Sequence, residues 1–361
     1  MLASPGRLGG TEESRDYRVL MPQRTPGKLD VPQIYNDSWR GWPVKPLHRQ
    51  HPIRGSFLDP RPDPDLGAIY HDGIDVAVRD DRPERAAPDG RTHRVFAIEG
   101  GPVFLATPRG ARGFARVGHF GYGHIDPIVQ TGDTVAPGQH IGWTCKGDWH
   151  VHLSEFVFTS GRPLVVNPLR PGGKLDPYVD EARPEIRELR FYTPATPAWS
   201  RRPTTSVARL PRAGTRLARD RLFGRVDVRV RVSDPQSFVG WFVELPWLAA
   251  PHHPFRLAVR ILDLDTSRLV RRREAFRAEQ VLDQPAGSHF APGTEQNLPA
   301  GGCMQRHASI RCDGVYWFRL FPRFWDTTRL PDGRYDVQVS AWDVAGNLAH
   351  ASAVVAIANG T

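Results

Sequence analysis

Hydrophobic and polar positions alternate in short runs along most of the chain after about residue 50, and no window there carries a sustained helical stripe. Gly73-Ile74-Asp75-Val76-Ala77-Val78 sets Ile74, Val76 and Val78 on one face of a strand, with Asp75 and Ala77 on the other. Residues 94–98, 102–106, 115–120 and 150–158 read as further strands, punctuated by Gly and Pro. Near Gly224 a second series begins. Residues 225–232 alternate strictly, with four valines on one face, as in a half-buried antiparallel strand. Residues 255–262 broadly repeat that pattern, residues 314–321 and 333–343 follow, and Val344-Ala345-Gly346-Asn347 turns the chain into a last strand ending near Ile357. Residues 267–313 are less regular and are expected to form loop with one Arg-rich helix at 270–282.

The expected fold class is therefore all-β. A length of 361 residues exceeds one domain of usual size, which favours two units and connectors. The pattern divides into an N-terminal extended arm (1–50), a first β unit (51–178), a Pro/Arg-rich linker (179–222) and an immunoglobulin-like β-sandwich (223–361). Within the linker, Glu188-Leu189-Arg190-Phe191-Tyr192 has the makings of a strand. Gly and Pro at 34 each suit many turns and short strands. No run approaches the ~20 apolar residues that span a bilayer. The opening residues lack the basic start and apolar core of a signal peptide.

A net charge of +9, mostly from Arg, suits an acidic polymer, though a generally charged surface accounts for it as well. No basic runs interleave with aromatics, so nucleic acid is not the expected partner. Cys303 and Cys312 lie nine apart in a polar loop, which fits either a disulfide in an exported protein or two unpaired thiols.

The candidate chemistry lies in the first unit. In an extended chain His150 and His152 share a face, with Cβ atoms about 6.5–7 Å apart, while Val151 and Leu153 turn into a core. Gly73 and the alternation after it argue against a helix at His71 and Asp75, so His71 should end a loop and Asp75 should lie on the strand. Two imidazoles and one carboxylate leave a tetrahedral zinc with one open position for water. Such a site lowers the pKa of that water to about 7 and polarises a carbonyl, and a further histidine can take up the proton or hold the oxyanion. Spacing alone leaves open which of His150 and His152 is a ligand.

These motifs occur in a particular order: Arg54-Gly55-Ser56-Phe57, then H-x-x-x-D at His71 and Asp75, then Y-x-H at Tyr122 and His124. A G-D-x-V-x-x-G-Q-x-I-G run follows at 132–142, then H-x-H at His150 and His152, then Asn167-Pro168. Over residues 51–178 the chain resembles the lysostaphin-type zinc metallopeptidases, which cleave bacterial cell walls. The resemblance implies a barrel-like or sandwich-like β peptidase domain. It implies one zinc ion per chain held by His71, Asp75 and His152, with His124 and His150 as the catalytic, non-ligand histidines. The implied reaction is hydrolysis of peptide bonds in peptidoglycan cross-links by attack of a zinc-bound water. Peptidoglycan peptides would be the partner, in an extracellular or cell-envelope location.

The chain departs from the family in its compact Thr144-Cys145-Lys146-Gly147-Asp148-Trp149 segment and in Leu153-Ser154-Glu155 after H-x-H, so the groove beside the metal should be reshaped. Cys145 reads as a small buried residue, His119 and His140 match no family site position and read as structural or solvent-facing, and His93 reads as an inert residue of a polar loop. An alternative reading is a non-catalytic zinc-binding envelope protein that binds wall or regulates a partner hydrolase. Sugar phosphotransfer carriers also use facing histidines, but Asp75 and Y-x-H do not suit them. In the second unit, Trp241, Trp247, Trp317, Trp325 and Trp342 would either line a glycan-binding face, associating the protein with the envelope, or anchor a core. Asp343 and Asn347 offer oxygens for calcium without a diagnostic spacing.

Overall fold

Short alternating runs build antiparallel sheets throughout. The structure, a computed structural model, describes residues 39–63, 67–78, 93–106, 113–145, 150–159, 162–194, 214–238, 251–283, 286–295 and 314–360. The first unit comprises β1 (Ile53–Gly55), β2 (Pro60–Asp63), β3 (Gly67–Tyr70), β4 (Ile74–Ala77), β5 (Arg94–Phe96) and β6 (Gly101–Ala106). It continues with β7 (Gly113–Val117), β8 (Phe120–Pro127), β9 (Thr134–Val135), β10 (His140–Thr144), β11 (His150–Thr159) and β12 (Arg162–Val166). Its main sheet runs β1-β4-β11-β8-β7-β6-β9, with β12 beside β11 and β10 bridging β8 and β5. The described strands close no barrel. As alternation requires, Ile74, Val76, Val151 and Leu153 are fully buried on the core face. The Gly-containing run proves to be the turn that feeds β9 and β10. Gly132 and Gly138 have φ of 97° and 73°, where a side chain would be strained.

The second unit comprises β13 (Glu185–Tyr192), β14 (Arg216–Leu217), β15 (Arg225–Ser233), β16 (Arg256–Asp263), β17 (Leu269–Arg277), β18 (Tyr316–Arg319), β19 (Trp325–Asp326), β20 (Gly333–Trp342) and β21 (Leu348–Ile357). They form two sheets, β14-β13-β15-β18 (with β19 on β15) and β17-β16-β20-β21, as in a sandwich. The segment expected to be linker thus supplies two strands of this unit. Val226, Val228, Val230 and Val232 pack inward, but β15 is not half-buried. On its other face Asp227 and Arg229 are also buried and pair with each other, and Arg319 closes on Asp227 as well. The helix expected at 270–282 is absent: residues 269–277 are β17, paired along β16. Arg-rich sequence suits this position because β17 is a sheet edge, where charge discourages further pairing.

The two units share one continuous buried cluster, in which Phe57 and Leu58 of the first join Phe290 and Tyr316 of the second. Buried hydrogen bonds reinforce it. His252 donates through Nε2 to the Ile53 carbonyl (3.1 Å), His253 to that of Phe57 (2.9 Å), and Asn167 to that of Ala278 (2.8 Å). The described end of the N-terminal arm packs on the first unit, where the buried Trp42 donates to the Pro177 carbonyl (3.0 Å). Trp325 is a core anchor, while Trp317 and Trp342 stack on Arg190 and Arg256. Trp241, Trp247, Cys303 and Cys312 lie outside the described residues. No helix among the described residues is long and apolar enough to cross a membrane.

Candidate metal centre

Register puts the expected residues together. In β11 against β4, His152 faces Asp75 and His150 faces Ala77, so both imidazoles and the carboxylate leave the sheet on the face opposite Val151 and Val76. His71 precedes β4 in a loop whose backbone pairs with the loop before β2, its N–H donating to the Asp59 carbonyl and its own carbonyl accepting from Leu58.

His124 needed something more. In β8, Tyr122 pairs with Leu153 and Gly123 with His152, so strict alternation would send His124 into the core beside Tyr122. Instead, the pairing of β7 with β8 jumps from Gly113↔Ile125 to Phe114↔Gly123, leaving His124 as the extra residue of a bulge. Its φ of 58° lies in the left-handed region, uncommon for a residue with a side chain. The bulge turns the ring onto the His150 and His152 face, with ring centroids 4.7 and 6.2 Å away. Tyr122 stays in the core, where its hydroxyl accepts from the Ile98 N–H (2.7 Å).

Three atoms converge. His71 Nε2, Asp75 Oδ1 and His152 Nδ1 stand 3.2, 3.3 and 2.9 Å apart (His71–Asp75, His152–Asp75 and His71–His152). A tetrahedral zinc with bonds of 2.0–2.1 Å separates its ligand atoms by roughly 3.3–3.4 Å. Each ring's remaining nitrogen has an acceptor. His71 Nδ1 donates to the Ser56 carbonyl (2.8 Å), and His152 Nε2 lies 2.9 Å from Ser154 Oγ and 3.5 Å from Asp72 Oδ1. Both tautomers therefore turn a lone pair toward the third atom, Asp75 Oδ1. Two imidazole lone pairs and a carboxylate oxygen this close repel one another, so the cluster calls for a cation or a proton between them. The donor set fits zinc on these grounds. No other His, Cys, Asp or Glu among the described residues joins the three.

The electrostatics express the same demand for positive charge, here met by a proton on His152. Burial alone would raise the Asp75 pKa, but His71 and His150 outweigh it and hold the carboxyl well below its usual range. Burial likewise opposes charge on His152, yet Asp72 and Asp75 push its pKa up to about 9. His150 differs: burial, with Arg54 adding to it, keeps it well below the ordinary imidazole value despite Asp75.

Two arginines complete the surroundings. Arg61 Nη2 donates to Asp75 Oδ2 (3.0 Å), leaving Oδ1 to face the two imidazoles. Arg54 Nη1 donates to His150 Nδ1 (2.8 Å), and since a guanidinium cannot accept, His150 carries its proton on Nε2. Arg61 was not anticipated as part of the site, and no local pattern marks it. Cys145 is half-buried rather than buried, and lies outside the three-residue group. His119 pairs with Glu99 (2.9 Å) and His140 donates to the Gly142 carbonyl (2.9 Å), so neither belongs to the cluster. No family model, curated protein or solved structure matches the chain.

Proposed function

We propose that the chain is a zinc-dependent metalloendopeptidase of the lysostaphin type that hydrolyses peptide bonds in peptidoglycan cross-links, at the cell envelope or outside the cell. The observation that carries this reading is the convergence of His71 Nε2, Asp75 Oδ1 and His152 Nδ1, with the His124 and His150 rings on the same side. Structural zinc sites usually close with four protein ligands, whereas three leave a position for chemistry. When bound there, zinc would polarise a substrate carbonyl and lower the pKa of a water to about 7.

The roles of the neighbouring residues follow from their hydrogen-bonding capacity. His150 is neutral and presents Nε2–H, so it donates, either orienting the water or holding the developing oxyanion. That leaves His124 as the residue to accept the proton. Arg61 draws charge from the outer oxygen of Asp75, which makes the carboxylate a weaker donor and the metal a stronger Lewis acid. The cell-wall substrate rests on the motif order from Arg54 to Pro168, and a net charge of +9 suits an anionic wall.

Incubating the zinc-loaded protein with purified cross-linked muropeptides tests the reading. New amino and carboxyl termini should appear, disappear with a chelator and return with added zinc. Cross-links left intact by fully loaded protein would overturn it.

A further inference from the structure

The second unit reaches the metal centre. Tyr316, at the start of β18, donates its hydroxyl to Asp59 Oδ1 across 2.9 Å, and both side chains are fully buried. Asp59 Oδ2 lies 3.9 Å from Arg61 Nη2, and that same nitrogen donates to the outer oxygen of Asp75 at 3.0 Å. The outer contacts of two of the three ligands thus come from one short segment, the loop after β1 and the start of β2: Ser56 holds His71, and Arg61 holds Asp75. The second unit grips this loop and the strand before it at three points, with His252 on Ile53, His253 on Phe57 and Tyr316 on Asp59.

We propose that Tyr316 is a positioning residue for Asp75, acting through Asp59 and Arg61, so that the sandwich unit sets the geometry of the metal centre. The physical reason is the sharing of one guanidinium between two buried carboxylates. With the phenol on Oδ1, Asp59 turns Oδ2 toward Arg61 and competes with Asp75 for its charge. Arg61 then makes a single contact with Asp75 Oδ2, and Oδ1 keeps facing the two imidazoles. Without the hydroxyl the Asp59 carboxylate can rotate. Arg61 is then able to close on both oxygens of Asp75, the bidentate geometry that guanidinium and carboxylate favour, at the expense of the metal. Charge interactions among buried groups are strong enough to transmit this, because little solvent screens them.

The inference rests on the metal centre proposed above, and the test separates the two. Full-length wild type, Tyr316→Phe and Asp59→Asn are compared by zinc affinity in chelator competition and by the visible spectrum of the Co2+-loaded form, which reports coordination geometry. Asn167→Ala serves as a control, because it removes another hydrogen bond between the units without touching residues 56–61. Tyr316→Phe and Asp59→Asn should shift the cobalt bands and weaken zinc binding roughly 10-fold or more, as is typical when a ligand's outer partner is lost. Asn167→Ala should lower the melting temperature and leave the bands in place. If Tyr316→Phe keeps the wild-type bands and affinity, Tyr316 only holds the interface and the proposal is wrong. Asp59→Asn decides the matter if Tyr316→Phe does not fold. Wild type that binds neither metal would overturn the metal centre and this relay with it.

Discussion

Gly73 sits between two of the ligands in sequence and against the third in space. A Cβ added there would stand 2.6 Å from His152 Nε2, 2.7 Å from His152 Cε1 and 2.6 Å from the Leu153 carbonyl oxygen, against ordinary contacts of 3.4 Å or more. Gly73→Ala must therefore open the gap by roughly 0.8 Å, as van der Waals contact demands. The Leu153 carbonyl belongs to β11, whose pairing with both β4 and β8 resists movement, so the His152 ring and the backbone at Gly73 between the other two ligands have to yield. A shift of that size is several times the ~0.2 Å tolerance of a zinc bond length. Overpacking of this kind costs about 1–3 kcal/mol. Zinc affinity should fall about 100-fold, the upper range for losing a ligand's outer support, or about 2.7 kcal/mol. The assay is competition against a chromophoric chelator, with circular dichroism of the metal-free protein to establish that the fold persists. A folded Gly73→Ala protein binding zinc within about threefold of wild type would show that His152 is not a ligand in this geometry.

Three further outcomes are expected. His124→Ala should keep zinc at wild-type affinity while hydrolysis falls about 10²–10⁴-fold, the usual contribution of a proton-transfer group, as measured by muropeptide product release. Nitrogen-15 spectra of the zinc-loaded protein should show His150 protonated on Nε2 and bare on Nδ1, and the reverse pattern would exchange the roles given to His124 and His150. The third concerns acid. Burial lowers the His252 pKa to about 3 and that of His51 to about 4, from 6.5 for each in the unfolded chain. The unfolded state therefore binds more protons below pH 6.5, so this stability is present above 6.5 and is lost as pH falls. At pH 4.5 His252 alone should remove about 2–3 kcal/mol, read as a falling urea midpoint that His252→Gln flattens. A midpoint unchanged between pH 7 and 4.5 would refute it.

The strands, the loop position of His71 and the common face of His150 and His152 were legible in the sequence because each depends on a local period of two. His124 was placed in the site by resemblance alone, since its own alternation points it at the core. Only the bulge opposite Phe114 and Gly113 re-aims it, and a bulge depends on cross-strand register that a single strand does not record. Arg61 and Tyr316 were illegible for a related reason. Tyr316 meets Asp59 across 257 positions of chain, so the contact exists only once the two units are packed. The expected helix at 270–282 failed because an edge strand tolerates charge on most positions. Ala275 and Phe276 are the only buried positions of β17, too few to fix a period.

The central claim is that His71, Asp75 and His152 hold one zinc ion. X-ray absorption at the zinc edge of the stoichiometrically loaded protein tests it most directly. The account predicts one zinc per chain with two imidazole nitrogens and carboxylate and solvent oxygens at about 2.0–2.2 Å, and no sulfur. A sulfur shell near 2.3 Å would put Cys145 or another cysteine on the metal, and zinc retained unchanged by His71→Ala would place the ion elsewhere; either result would contradict the account.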